Sequence, residues 1–292
     1  MQRLILIIFI LFIQNFFVSE AWAIKIGLQD GVSSTIIAAS DGAALINNEN
    51  GKTYGQIASM KPYKLRVSDG NISIQTGDKY YDLQTKSLLV VPDSGFVSVK
   101  RKWYRGSFVV IVKGNELVII NDVDLESYIK GVVPSEMPSR WNDEALKAQA
   151  IAARSYALAN RGKRGSRGYD LKDTPEDQAY GGASAETAKT NRVVEDTLGI
   201  VLTYNQHIIP AYYHASSGGE TTNSGGVWGG ADMPFLRSVP SFDSQMSKNG
   251  HGVGMSQNGA NNLASKGYNA YQILTYFYNN ISFGRLRPEW NF

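Results

Sequence analysis

Between Ile24 and Ile120 the apolar residues recur with a period of two. Ile24-Lys25-Ile26-Gly27-Leu28 and Tyr63-Lys64-Leu65-Arg66-Val67 both alternate, and Ser68-Asp69-Gly70-Asn71 supplies a turn before Ile72-Ser73-Ile74. Alternation of this kind marks strands with one buried face. Ser107 to Val112 and Glu116 to Ile120 flank Lys113-Gly114-Asn115, which predicts a hairpin. No helical period is visible here, so residues 24–120 are expected to form a β-rich N-terminal region.

The pattern changes at Asn121-Asp122-Val123-Asp124. Asp124 is placed to cap a short helix over Leu125 to Lys130, which Gly131 can end. Val132 to Pro138 is expected to be irregular, because Pro134 and Pro138 stand on either side of Glu136. The strongest helix of the chain follows. It opens at Ser139 or Asn142 and closes near Arg161, with Leu146, Ala150, Ala153 and Ala157 as its inner face. A long loop runs from Gly162 to Gly182, and a helix is expected over Ser184 to Leu198. Ile200 to Tyr204 and His207 to His214 read as a hairpin across Asn205-Gln206, its second strand made irregular by Pro210. Two short helices are expected around Met255–Ala264 and Ala270–Asn279, the second capped by Asn269. The fold class is α+β: a β-rich N-terminal part, then a mixed part over residues 121–292 built around an Ala-rich central helix.

The first residues change the picture of where the protein works. Arg3 precedes an apolar run from Leu4 to Val18, and Ala21-Trp22-Ala23 has the small-x-small form of a cleavage site. This predicts a signal peptide over residues 1–23 and an exported chain. The alternative is an uncleaved anchor, but the run of about 15 residues is shorter than the ~20 that span a bilayer. The chain has no cysteine, so no disulfide supports it and the commonest structural zinc ligand is missing. A net charge of +3 is too small to point to nucleic acid. The one basic cluster, Arg161 to Arg167, is interrupted by glycines and reads as a loop. It is either solvated or in contact with an anionic polymer. The 16 tyrosines and 29 glycines suit a β-rich protein with a carbohydrate groove.

Candidate chemistry centres on Glu136. Val132, Val133, Met137 and Trp141 surround it in sequence, and partial burial would raise its pKa toward that of a general acid. By itself the local pattern favours an exposed or capping glutamate. Lys147 and Arg154 are seven apart on the long helix and share a face. They form a solvated face or point at a ligand; cations beside Glu136 would lower its pKa. Two glycine-rich segments carry histidines, around His214 and His251. They are too few ligands for a metal site on their own. A serine hydrolase built from Ser216 or Ser217, His251 and Asp243 lacks a nucleophile-elbow pattern. Histidines that hydrogen-bond their own loops are the third reading.

The order of these segments is more specific than any one of them. Glu136-Met137-Pro138 is followed by Glu144-Ala145-Leu146-Lys147-Ala148-Gln149-Ala150-Ile151-Ala152-Ala153-Arg154-Ser155-Tyr156. Asp177-Gln178-Ala179-Tyr180-Gly181-Gly182 and His214-Ala215-Ser216-Ser217-Gly218-Gly219 come next. The last is His251-Gly252-Val253-Gly254-Met255-Ser256-Gln257-Asn258-Gly259-Ala260. Over residues 117–282 this series resembles the SpoIID/LytB family, which includes sporulation protein D and proteins called amidase enhancers.

The resemblance implies a peptidoglycan lytic transglycosylase. Such an enzyme cuts the bond between N-acetylmuramic acid and N-acetylglucosamine and leaves a 1,6-anhydro product. Glu136 matches the catalytic glutamate. Lys147, Arg154, Tyr180, His214 and Ser216 fall on positions that line the groove, and Ser217, His251, Ser256 and Gln257 complete the expected substrate-binding set. One carboxylate suffices for this reaction, whereas ordinary glycosidases need two, about 5–9 Å apart. Some relatives hold zinc through cysteines; with none here, no metal and no other cofactor is expected. Between Ser241 and His251 only Phe242 to Gly250 intervene, where family members carry several dozen residues, so an accessory subdomain is expected to be reduced. The expected partners are peptidoglycan glycan strands and other wall hydrolases, with membrane contact peripheral at most. The rival reading is a non-catalytic wall-binding activator of a separate amidase.

Overall fold

A computed structural model describes residues 22–286. The expected signal peptide lies outside them except for Trp22 and Ala23. Among the described residues twelve strands precede the first helix. They are β1 (Ala23–Val32), β2 (Ser34–Ala39), β3 (Ala43–Asn47), β4 (Thr53–Ile57), β5 (Tyr63–Ser68), β6 (Asn71–Thr76), β7 (Lys79–Asp82), β8 (Ser87–Pro92), β9 (Val97–Val99), β10 (Lys102–Tyr104), β11 (Ser107–Lys113) and β12 (Glu116–Asp124). One sheet has the order β1-β12-β11-β8-β3-β4, and β13 (Leu171–Lys172) joins it in parallel beside β1. The other has the order β10-β9-β2-β5-β6-β7.

Both expected hairpins are present. β5 pairs with β6 through Ser68 and Asn71, and β11 pairs with β12 through Lys113 and Glu116. Inward residues of the two sheets, such as Leu65 and Ile72 on one and Val90 and Phe108 on the other, join one hydrophobic core. That core continues into the helices, so the β-rich part and the mixed part share it. The run Leu117-Val118-Ile119-Ile120 does not alternate, and β12 is accordingly buried on both faces. Leu117 and Ile119 enter the main core, while Val118 and Ile120 pack with Tyr169 beneath the loop that follows residue 162.

The first helix departs from expectation. Helix α1 runs from Leu125 to Glu136, with Asp124 as its cap and Pro134 inside it. Neither Gly131 nor Pro134 ends it; it stops at Glu136, where Met137 is extended ahead of Pro138. Pro134 sits in the last turn, where a missing N–H removes one bond near a terminus that has unpaired carbonyls in any case. Gly131 has a packing role: a Cβ there would meet the Tyr180 ring at 2.5 Å. Glu136 is therefore the last residue of a helix, not a loop residue ahead of one.

Helix α2 (Asp143–Ala159) is the central one, and Asn142 caps it by accepting the Glu144 N–H at 3.0 Å. Its expected inner face is buried, but so are Ala145, Ala148, Ile151 and Ala152. A helix apolar on all sides is one that packs on all sides. Its small residues admit α1, α3 (Ala188–Asp196), α5 (Gln257–Ser265) and α6 (Ala270–Phe277) around it. Helix α3 is shorter than expected because Thr187 and Thr190 form a capping box, with a 3₁₀ turn over Gly182–Ala185 before it.

The expected hairpin after residue 200 is only begun. β14 (Ile200–Tyr204) pairs with β15 (His207–Ile208) and, on its other edge, with β18 (Ser282–Arg285). Beyond Pro210 the chain leaves β14. Tyr213 and His214 form β16, which pairs in parallel with β17 (Met255–Ser256). This short pairing joins the two histidine segments, and the short helix α4 (Ser224–Trp228) lies between them in sequence.

Candidate functional site

Glu136, His214, His251 and Gln257 line one cleft of about 450 Å³. They come from the end of α1, from β16, from the loop before β17 and from the first turn of α5. Two glycines let the loops meet. A Cβ on Gly254 would lie 2.1 Å from the Tyr212 carbonyl oxygen, and one on Gly250 would lie 2.8 Å from the His214 Cβ. Both have positive φ, which glycine adopts without strain. These two glycines thus serve the approach of loop to loop.

The Glu136 carboxyl group is held at both oxygens. Oε1 accepts the Ala179 N–H at 2.7 Å, and Oε2 accepts a Gln257 Nε2 hydrogen at 3.2 Å. Burial pushes its pKa up. Hydrogen bonds from Ala179, Gln257 and the Tyr213 hydroxyl pull the other way without cancelling the rise. Tyr213 is itself positioned by Gln178, whose Nε2 donates to its hydroxyl at 2.7 Å, and the Tyr128 hydroxyl donates to Gln178 Oε1 at 3.2 Å. No cation pairs with Glu136 among the described residues. It keeps partial solvent exposure at the cleft.

Two more carboxylates, Glu176 and Asp177, also line the cleft, and Glu176 pairs with Lys172 at 2.8 Å and Arg164 at 3.3 Å. Burial would raise the Asp177 pKa, but Arg164 at 2.6 Å, Lys163 at 2.7 Å and the Lys172 N–H outweigh that and hold it low. Asp177 is therefore ionised and fully engaged. The basic cluster read as a loop is where its partners come from, and Lys163 itself reaches the cleft wall. Arg167 of the same cluster pairs with Asp30 on β1.

His214 is buried and His251 is half-buried. His214 Nδ1–H donates to the Val253 carbonyl at 3.1 Å, which leaves Nε2 to accept from the Ser217 hydroxyl at 2.5 Å. Burial, and then the nearby His251, lower its pKa to about 4. His251 Nδ1 accepts the Val253 N–H at 3.0 Å, and burial lowers its pKa as well. The two rings stand 5.4 Å apart.

The serine-hydrolase grouping, already disfavoured by the lack of a nucleophile elbow, is not assembled. Ser216 donates to the Ser247 carbonyl, and Ser217 faces His214, not His251. Asp243 accepts from the Ser217 and Gly219 N–H groups and from the Ser241 and Ser256 hydroxyls, with no hydrogen bond to either histidine. Ser216, Ser217 and Ser256 thus brace the loops behind the cleft. No group of three His, Cys, Asp or Glu side chains able to hold a metal occurs among the described residues. With both His214 nitrogens already engaged, the residues present do not fit the zinc site of cysteine-bearing relatives.

Three expected groove residues lie elsewhere. Arg154 is completely buried and forms a bidentate pair with Glu126 on α1, at 2.8 and 2.7 Å. Its Nη1 also donates to the Ile200 carbonyl at 2.9 Å, so it ties α2 to α1 and β14. Lys147 pairs with Glu144 and Asp196 on the outer side of α2. Tyr180 is buried against Tyr104 and Tyr128, and its hydroxyl donates to Asn121 at 2.9 Å. Conversely Tyr156, Asp177, Tyr212, Tyr213 and Trp228 line the cleft without having been singled out. Tyr156 and Asp177 stand inside the quoted motifs and Tyr212 and Tyr213 just before His214, whereas Trp228 carried no such signal.

Residues 113–204 match the family model described as Stage II sporulation protein, SpoIID. The chain is 34% identical to the amidase enhancer of Bacillus subtilis (strain 168) over 180 residues, which are 60% of this chain and 24% of that protein. It is 37% identical to stage II sporulation protein D of the same organism over 137 residues, 42% of this chain and 40% of that one. An uncharacterized protein of Brachyspira hyodysenteriae is 34% identical over 137 residues, 47% of this chain and 37% of its own. The match thus spans between 24% and 40% of the length of these relatives. The resemblance drawn from the motifs holds. The model match includes Glu136, Lys147, Arg154 and Tyr180 and ends before either histidine segment.

Proposed function

We propose that this chain, which carries the SpoIID family segment over residues 113–204, is an exported protein that cleaves the glycan strands of the bacterial cell wall as a lytic transglycosylase. The observation that carries the reading is the asymmetry between Glu136 and the other two carboxylates of the cleft, Glu176 and Asp177. Glu136 has a raised pKa and no cation partner, while Asp177 is locked as an anion by Lys163 and Arg164. Among the described carboxyl groups that line the cleft, Glu136 is thus the one whose pKa is raised, while Glu176 and Asp177 are both held low by cations.

Such a site suits a reaction that needs a single acid and base. Glu136 protonates the glycosidic oxygen as the bond from C1 of N-acetylmuramic acid breaks. The resulting carboxylate takes the proton from the C6 hydroxyl of the same sugar, whose oxygen closes on C1. One C–O bond breaks, one forms, water is not consumed and the acid is restored. Ala179 N–H and Gln257 stabilise the carboxylate stage, and the histidines hold the loops. Export is part of the proposal, with Ile24 as the mature N-terminus. No described helix is long and apolar enough to cross a membrane.

The test is to incubate the purified protein with peptide-free glycan strands and read the new ends by mass spectrometry. Products with 1,6-anhydro ends are expected; hydrated reducing ends would mean a hydrolase. A second reading, a wall-binding activator of an amidase, is favoured by the name of one relative. It predicts no glycan cleavage by the protein alone and faster stem-peptide release when an amidase is added.

A further inference from the structure

One wall of the Glu136 cleft is aromatic. Trp228, at the end of α4, packs its ring against Tyr212 at 4.5 Å and against His251 at 5.4 Å between centroids. It nevertheless remains 46% exposed. Its position is fixed by neighbours on both sides. Ser224 Oγ accepts the Met233 N–H and Asp232 accepts the Gly225 N–H, each at 2.7 Å. Gly229 and Gly230 follow with positive φ and turn the chain back. Tyr212 beneath it is held by its carbonyl, which accepts from the Tyr278 hydroxyl at 2.8 Å and from the Met255 N–H at 3.1 Å. Tyr212 adjoins Tyr213, which contacts Glu136, so the wall and the acid share one stretch of backbone.

We propose that Trp228 is the stacking platform of a sugar subsite, taking the apolar face of an N-acetylhexosamine ring in the same cleft as Glu136. The assignment of that ring to a wall glycan rests on the function proposed above. Polar groups share the cleft with this aromatic wall, among them Lys163, Asn249, His251 and Gln257. A wholly apolar ligand would leave those groups unpaired, and a wholly polar one would leave the indole unused. A 1,4-linked pyranose with equatorial substituents answers both. Its axial C–H groups make an apolar face for the indole, and its hydroxyl and acetamido groups point outward at the edge. Tryptophan suits this because it offers a large rigid face at low entropic cost. Trp228 makes no contact with the proton exchanged at Glu136, so its role is in binding and register.

The experiment uses the full chain with Glu136→Gln, so that binding is read without turnover, and tri-N-acetylchitotriose as the probe in calorimetry. Adding Trp228→Ala is expected to weaken binding roughly tenfold, the effect that removing one stacking ring has for other ligands with an apolar face. Trp228→Phe is expected to recover most of it, and Tyr81→Ala, an exposed aromatic outside the cleft, is expected to change nothing. Melting temperatures of all variants show whether each is folded. Binding indifferent to Trp228→Ala, no recovery with phenylalanine, or no binding by the Glu136→Gln parent would overturn the subsite. The lyase reading is judged separately: absence of anhydro products from the unmodified protein would sink it, while Trp228-dependent binding would leave the subsite standing.

Discussion

Between Ala23 and Asp124 the buried residues are mostly apolar, and the few buried polar ones, such as Thr35, Asn47 and Asn121, carry no charge. From residue 125 onward the buried set includes Arg154, His214, Asp243, Gln149, Gln178 and Gln257. The sheets are held by removal of apolar surface from water, which is non-directional and forgiving of detail. The second region adds polar groups that must each find a partner, and these groups are directional. Gln149 shows how tight the matching is: its Oε1 is reached by Gln257 at 3.5 Å, yet its Nε2 has no partner within the described protein. A cleft that must aim a proton at one oxygen needs such directional fixing, and an apolar sheet sandwich cannot supply it.

The largest expected effect is at Glu136. Glu136→Gln should lower glycan cleavage by about 10²–10⁴-fold, the usual worth of a general acid. Binding to glycan should remain. The native pKa is raised, so the native state binds more protons than the unfolded state just above the ordinary carboxyl pKa of 4.5, and stability falls there as pH rises. The substitution should remove that fall. Near wild-type cleavage by the variant would put the chemistry elsewhere and dissolve the contrast between the regions.

Arg154→Ala should cost about 3–5 kcal/mol in denaturant unfolding, because it leaves Glu126 partly buried without its partner. A groove-lining arginine would instead lose activity at unchanged stability, so this variant decides which kind of residue it is. Leu65→Ala in the outer sheet should cost about 2–5 kcal/mol through lost burial and a cavity. Activity per folded molecule should be unchanged there, which is the matching measurement for the first region.

His214 sharpens the comparison through pH. Its folded pKa of about 4 lies below the ordinary value of 6.5, because of burial first and His251 second. Stability is therefore fully present above 6.5 and is lost as pH falls from there toward 4. Melting temperature against pH should show this acid limb, and His214→Gln should flatten it. An unchanged limb would mean that other groups drive acid sensitivity. Lys147→Ala should have the smallest effect, at most about 1 kcal/mol, because its pairs with Glu144 and Asp196 stay in reach of solvent. A large loss of activity there would return Lys147 to the site.

Local patterns alone were enough for much of this molecule. Alternation in Tyr63–Val67 and in Ser107–Val112, the turn at Asp69-Gly70 and the caps at Asp124, Asn142 and Asn269 depend on residues within a few positions of one another. Their physics is complete within one strand, turn or helix end, so the amino-acid order suffices. The motif series also singled out Glu136 and both histidine segments before any contact between them was visible. What only the tertiary structure decided is which face each residue meets. The helical period places Lys147 and Arg154 on one side of α2, but it cannot say that Glu126, 28 positions away from Arg154, waits there in place of a sugar. It cannot say that Gly131 yields to Tyr180 or that Gln257, 121 positions from Glu136, completes the acid's surroundings. Nor can it say that Lys163 and Arg164 silence Asp177. Those outcomes are set by packing between distant segments, where burial and partner geometry fix both the charge and the role of each group.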